Sequence, residues 1–171
     1  HKDELILDYR RLGELFDREK SWRDASDAFD ECRKLEENSG ASGFASAAYY
    51  AHQAGLSLLE LSRACEAEET KFNVLSEVRQ RFQLAVDHRT LSLKKKGGCR
   101  DSLATHYYWL GYANYCSKLY PDSQGFFHSA YNIFAEVSNL KMGRKTASKL
   151  AETHKKIADE RPSKTERRRE I

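Results

Sequence analysis

Proline and methionine are nearly absent from this chain: two Pro and one Met stand among 171 residues. So little proline, with only nine Gly, excludes a collagenous or linker-like polypeptide. It also argues against a β-rich fold, whose many turns draw on both residues. Cysteine is sparse and scattered, at Cys32, Cys65, Cys99 and Cys116, with no C-x-x-C and no closely spaced Cys/His pair. That spacing supports neither a zinc site nor a redox dithiol. It predicts reduced, mostly buried thiols and hence a cytoplasmic or nuclear setting. Long apolar runs are missing too: nothing approaches the roughly 20 residues that cross a bilayer, and no basic-then-apolar leader is visible, so a soluble domain is expected. A dominant charge sign is likewise lacking, since 29 Lys and Arg face 26 Asp and Glu. A net +3 is too small to demand nucleic acid or an acidic membrane as partner. The distribution is uneven, however, with 11 basic and 5 acidic side chains in residues 141–171. The C-terminal end is the basic end. The chain opens at His1 without Met, which suggests a piece of something longer.

What is present is a globular balance of 40% hydrophobic and 32% charged residues over a length suited to one domain. Helix formers recur throughout and period-2 alternation rich in Val, Ile and Thr is almost absent, which predicts an all-α fold. The first helix is expected over about 2–18, and Ser21 opens a second in which Trp22, Ala25, Phe29, Cys32 and Leu35 recur at helical spacing. Asn38-Ser39-Gly40 ends that hairpin. A third helix is expected over about 42–67, and a fourth carries Phe72, Leu75, Val78, Phe82 and Val86 and ends at Lys94-Lys95-Lys96-Gly97-Gly98. A fifth runs over about 101–118, Pro121 sits in the first turn of a sixth, and a seventh covers about 141–159. The domain is thus 1–160, with hairpins over about 2–38, 42–96 and 101–139. A basic, flexible tail over 161–171 follows.

Hairpins one and three align at a constant offset of 98 residues. Tyr9, Leu12-Gly13, Phe16, Ala25, Phe29 and Cys32 stand where Tyr107, Leu110-Gly111, Asn114, Ser123, Phe127 and Ala130 stand in the later hairpin. A small residue lets two helices of a hairpin approach, and an aromatic on the second helix fills the wedge against the next hairpin. These spacings resemble the tetratricopeptide repeat. In the middle hairpin Ala54-Gly55 takes the Leu-Gly slot and Val78, Phe82 and Ala85 the second-helix slots, with an interval about 11 residues too long. Either helices three and four are extended, or the array is a divergent, tetratricopeptide-like one. The resemblance implies a right-handed array of three antiparallel hairpins, with helix seven as a cap. Leu140, Ala147, Leu150, Ala151, His154, Ile157 and Ala158 would then cover the last hairpin, leaving Arg144, Lys145, Lys149, Lys155 and Lys156 wet.

The resemblance also implies a protein-interaction scaffold whose first helices line a groove for a peptide. Matching positions are Arg10, Glu14, Asp17 and Arg18 in the first hairpin, Tyr49 and His52 in the second, and Tyr108, Tyr112 and Tyr115 in the third. Those last three fall at i, i+4 and i+7 on one helical face, so they either line the groove or pack between helices. The Lys and Asn set that clamps chaperone tails in some family members is not reproduced, because Glu14 and Tyr112 stand at its asparagine positions. The alternative reading is a basic helical module for nucleic acid or acidic surfaces, through Lys94, Lys95, Lys96, Lys145, Lys149, Arg167, Arg168 and Arg169. Self-association through bare end faces is a third. No catalytic or metal pattern stands out: there is no H-E-x-x-H, no G-x-S-x-G and no phosphate-binding glycine loop behind a strand. Neither enzyme activity nor a cofactor is expected.

Overall fold

A computed structural model describes residues 1–160. Among them are seven α-helices and no strand: α1 (Lys2–Arg18), α2 (Trp22–Glu37), α3 (Phe44–Ala64), α4 (Glu68–Lys96), α5 (Asp101–Cys116), α6 (Tyr120–Glu136) and α7 (Leu140–Asp159). A single 3₁₀ turn at Gly40–Ser42 joins α2 to α3. Each helix packs chiefly on its neighbours in sequence, α1 on α2, α2 on α3 and so on to α6 on α7. The predicted tail, with Arg167, Arg168 and Arg169, lies outside the described residues.

The small-against-aromatic pattern is realised three times. A Cβ added to Gly13 would lie 2.9 Å from the Phe29 ring, one added to Gly55 2.9 Å from Phe82, and one added to Gly111 2.9 Å from Phe127. Only glycine therefore lets each pair of backbones close onto its phenyl ring. Gly13 and Phe29, like Gly111 and Phe127, are 16 residues apart, whereas Gly55 and Phe82 are 27 apart. The eleven extra residues amount to about three helical turns, which keeps both faces in phase. About one turn lengthens the end of α3 and about two the start of α4, which run to 21 and 29 residues. Both helices of the middle hairpin are thus extended.

The turns repeat as well. Lys20, Lys118 and Ser138 take left-handed backbone, at φ 61°, 60° and 56°. At the first two, Ser21 N donates to Phe16 O and Leu119 N to Asn114 O, both at 2.9 Å, and Asn139 N donates to Phe134 O at 2.9 Å. With the companion bonds from Lys20 N to Asp17 O, Lys118 N to Tyr115 O and Ser138 N to Ala135 O, these are Schellman closures. They satisfy the last carbonyls of α1, α5 and α6 and fold the chain straight back.

The core forms two clusters. Ile6, Ala25, Phe29, Cys32, Tyr50 and Ala54 fill the space under α1 to α3. A larger cluster runs from Leu58 and Val78 through Phe82 and Tyr108 to Phe127 and Phe134. Each such large side chain contributes roughly 1.5–3 kcal/mol by leaving water. Of the cysteines only Cys32 is buried, Cys65 and Cys116 are half-buried and Cys99 is exposed, so the expectation of mostly buried thiols holds for one of four. Burial pushes the Cys32 thiol up to about 11, and it donates to Ile6 O at 3.4 Å. No described helix is long and apolar enough to cross a membrane.

Helix α7 lies with a different face inward from the one its aliphatic residues suggest. Thr146 and Thr153 are wholly buried, each hydroxyl donating to the carbonyl four residues back, Met142 O and Lys149 O, at 2.8 Å. A threonine satisfied by its own helix buries its methyl at little cost. Met142 and Leu150 join the core beside them, while Ala151, His154 and Ala158 are exposed and Leu140 is 69% exposed. Lys145 and Lys149, expected in open water, lie against aromatic rings of α5.

Candidate peptide-binding face

Two groups of side chains stand out on the odd-numbered helices. The first is a cleft of about 490 Å³ between α1 and α3, lined by Glu14, Asp17, Arg18, Tyr49 and Gln53 with Phe29 at its base. Helical spacing explains the set: positions 14, 17 and 18 share a face of α1 and positions 49 and 53 share a face of α3. Within it Arg10 Nε donates to Glu14 Oε1 at 2.8 Å, and Ser57 Oγ donates to Asp17 Oδ1 at 2.8 Å. Both carboxylates therefore have partners. Arg18 Nε donates only to the Glu14 carbonyl, at 3.2 Å, and forms no ion pair among the described residues. Tyr49 is 46% exposed, its ring edge-on to Tyr50 with centroids 5.3 Å apart. The cleft so combines a free guanidinium, an accessible aromatic face and the Gln53 amide.

The second group joins α5 to α7. Lys145 Nζ lies 4.9 Å from the Tyr108 ring centroid and 5.7 Å from that of Trp109. Lys149 Nζ lies 5.7 Å from Tyr112 and 5.1 Å from Tyr115. Tyr115 donates its phenolic hydrogen to Glu152 Oε1 at 2.6 Å, and Lys149 Nζ donates to Glu152 Oε2 at 2.6 Å. Tyr108 with Lys145, Tyr112 with Lys149 and Tyr115 with Glu152 share one offset of 37 residues, as two helices running in the same direction require. Lys149 and the Tyr115 hydroxyl hold the Glu152 carboxyl below its usual range, and the same hydrogen bond raises the Tyr115 phenol. Cations over ring faces and a shared carboxylate tie α7 to α5 through side chains.

Between these groups lie His52 of α3 and His106 of α5, buried, with their Nδ1 atoms 3.2 Å apart. His52 also contacts the rings of Phe82 and Trp109, at centroid distances of 5.3 and 6.3 Å.

The expected groove residues thus separate into two populations. Glu14, Arg18 and Tyr49 meet in the α1–α3 cleft, and Arg10 stands at its edge through Glu14. Tyr108, 2% exposed, and His52 are interior, so neither offers a ligand a surface. A closed core leaves Tyr108 as backing for the row rather than part of it. Tyr112 and Tyr115 are half-buried under Lys149 of α7. Of the basic residues, Lys94, Lys95 and Lys96 are exposed at the end of α4, Lys95 lying 5.2 Å over the Phe44 ring. The sequence reading missed Gln53 in the cleft and the pairing of Lys145 and Lys149 with tyrosines. The matching i, i+4, i+7 rows on α5 and α7 carried that signal. Among the described residues, no three His, Cys, Asp or Glu side chains gather as a metal site. No family model matches the chain, and no curated protein does.

Proposed function

We propose that this chain is a tetratricopeptide-like, right-handed helical array that works as a protein-interaction module, capturing a peptide segment of its partner between α1 and α3. The observation that carries the reading is the α1–α3 cleft, where Arg18 is free to meet a carboxylate, Tyr49 offers a ring to an apolar side chain, and Gln53 can both donate to and accept from a peptide backbone. The repeated Gly-against-Phe wedges support the array, because each lets one hairpin close tightly enough to stack on the next. In this reading α7 is the cap, fixed by its lysines on the α5 tyrosines.

Selection of peptides from a displayed random library tests it. Selected sequences should share an acidic residue near an apolar one, and binding should fall about tenfold for Tyr49→Ala and for Arg18→Gln. Equal binding by both variants would remove the cleft from the account. The competing reading, a basic module, draws on Lys141, Arg144, Lys155 and Lys156, exposed on α7. It predicts binding of a duplex DNA or RNA probe that falls steeply with salt.

A further inference from the structure

A larger cleft, of about 570 Å³, opens between α4 and α6 over the floor of α5, and shares no residue with the α1–α3 cleft. Leu84, Leu110 and Phe126 supply its apolar surface, Gln80, Gln83 and Asn114 its amides, and Arg79 and Asp122 its charges, with Arg81 at the edge. It exists because α4 and α6 make no extensive contact with each other, each packing instead on α5.

Arg79 is the cleft's unpaired cation. Its Nη1 is buried and has no hydrogen-bond partner, and it forms no ion pair among the described residues. Arg81 beside it also buries an unpartnered nitrogen, its Nε, but its charge is met by Asp30 at 3.4 Å. The buried Nη1 of Arg79 lies out of a ligand's reach, but Arg79 lines the cleft with a guanidinium whose charge has no counter-ion, so an incoming carboxylate would meet an uncompensated cation through its remaining N–H groups. Asp122 lines the cleft without pairing to Arg79, so the guanidinium stays available, while Asp122 itself disfavours a ligand carrying several negative charges. Amides complete the match to a peptide: Asn114 Nδ2 donates to Leu110 O at 2.8 Å, which leaves its Oδ1 to accept, and Gln80 carries both donor and acceptor.

We infer that this α4–α5–α6 cleft is a second peptide site, taking a segment with one acidic side chain close to one bulky apolar side chain. The carboxylate meets Arg79, the apolar group rests on Leu84, Leu110 and Phe126, and the amides receive the backbone between them. A cleft of this volume suits one or two side chains.

The test uses acetylated, amidated eight-residue peptides in which one Phe and one Glu are separated by one to three residues in a Gly/Ser background, titrated into the ¹⁵N-labelled protein. At least one spacing should shift the amides of Leu84, Leu110, Asn114 and Phe126 and saturate, and the same peptide with Gln in place of Glu should bind about tenfold more weakly. Arg79→Gln should abolish the difference between the two peptides, and the Glu→Gln comparison stands without any protein variant should that one misfold. Equal binding of the Glu and Gln peptides, no shifts in the cleft, or shifts confined to Glu14, Arg18, Tyr49 and Gln53 would each overturn the inference. The last of these would leave the α1–α3 site standing.

Discussion

His52 and His106 face each other through Nδ1 atoms 3.2 Å apart, so one imidazole donates its Nδ1–H and the other accepts; the two are opposite tautomers of a neutral pair. Burial depresses His52 to about 4. Burial, then a charge on His52, then Arg89 depress His106 to about 3. In the unfolded chain both titrate near 6.5, so the unfolded state takes up protons first as pH falls. Stability from the neutral pair is complete above pH 6.5 and declines as pH drops toward the folded values. By pH 5.5 the loss should be on the order of 2–3 kcal/mol, before most carboxylates titrate. Urea unfolding at pH 7.5 and 5.5 reads this directly. Replacing both histidines by glutamine should flatten the dependence; unchanged wild-type stability at pH 5.5 would mean that the pair is not neutral and buried.

Glycines that look alike in sequence should differ in sign. Gly111→Ala drives a methyl to 2.9 Å from Phe127 and should cost about 1–3 kcal/mol, as should Gly13→Ala against Phe29. Gly125→Ala, in α6 with no atom within 4 Å of the new methyl, should instead stabilise by about 0.5–1 kcal/mol. Thermal unfolding of the three variants separates a close helix approach from simple helix propensity.

Lys118 sits at φ 60°, a conformation that costs a side-chain-bearing residue about 1 kcal/mol and glycine almost nothing. Lys118→Gly should raise the unfolding midpoint, and Lys20→Gly should do the same because its turn is built alike. Lys118→Val should lower it. A lower midpoint for Lys118→Gly would show that the turn is held by something other than its backbone.

The tyrosine row should divide on truncation. Tyr108→Ala empties a position only 2% exposed and should cost about 3–5 kcal/mol. Tyr49→Ala, in an open cleft, should leave stability within about 0.5 kcal/mol. Circular dichroism through a denaturant titration distinguishes them. Of the two alternatives for the i, i+4, i+7 row, Tyr108 thus belongs to packing between helices and not to the groove.

Much of the architecture was readable because glycine and phenylalanine act as a pair. The offset of 98 residues that aligned Gly13 with Gly111 and Phe29 with Phe127 also aligns Lys20 with Lys118, whose shared left-handed turn no propensity rule would assign to lysine. The middle hairpin looked irregular only until eleven residues were recognised as three whole turns. Helix α7 was misread because polarity stood in for burial: Thr146 and Thr153 bury their methyls once their hydroxyls bond within the helix, and this turns the lysines onto the α5 rings. The candidate site was legible where a residue is both exposed and helically spaced, as with Glu14, Arg18 and Tyr49. It was not legible for Tyr108, because an i, i+4, i+7 row fixes which side of a helix a residue takes and not what covers that side. Arg79 gave no sign at all, since its distinction is the absence of a partner.

The most direct measurement is an amide chemical-shift map of the ¹⁵N-labelled protein bound to its best library-selected peptide at moderate salt. The account predicts shifts centred on Glu14, Arg18, Tyr49 and Gln53, retained when salt is raised. Shifts centred on Lys141, Arg144, Lys155 and Lys156 that vanish with added salt would contradict it and assign binding to the basic face of α7.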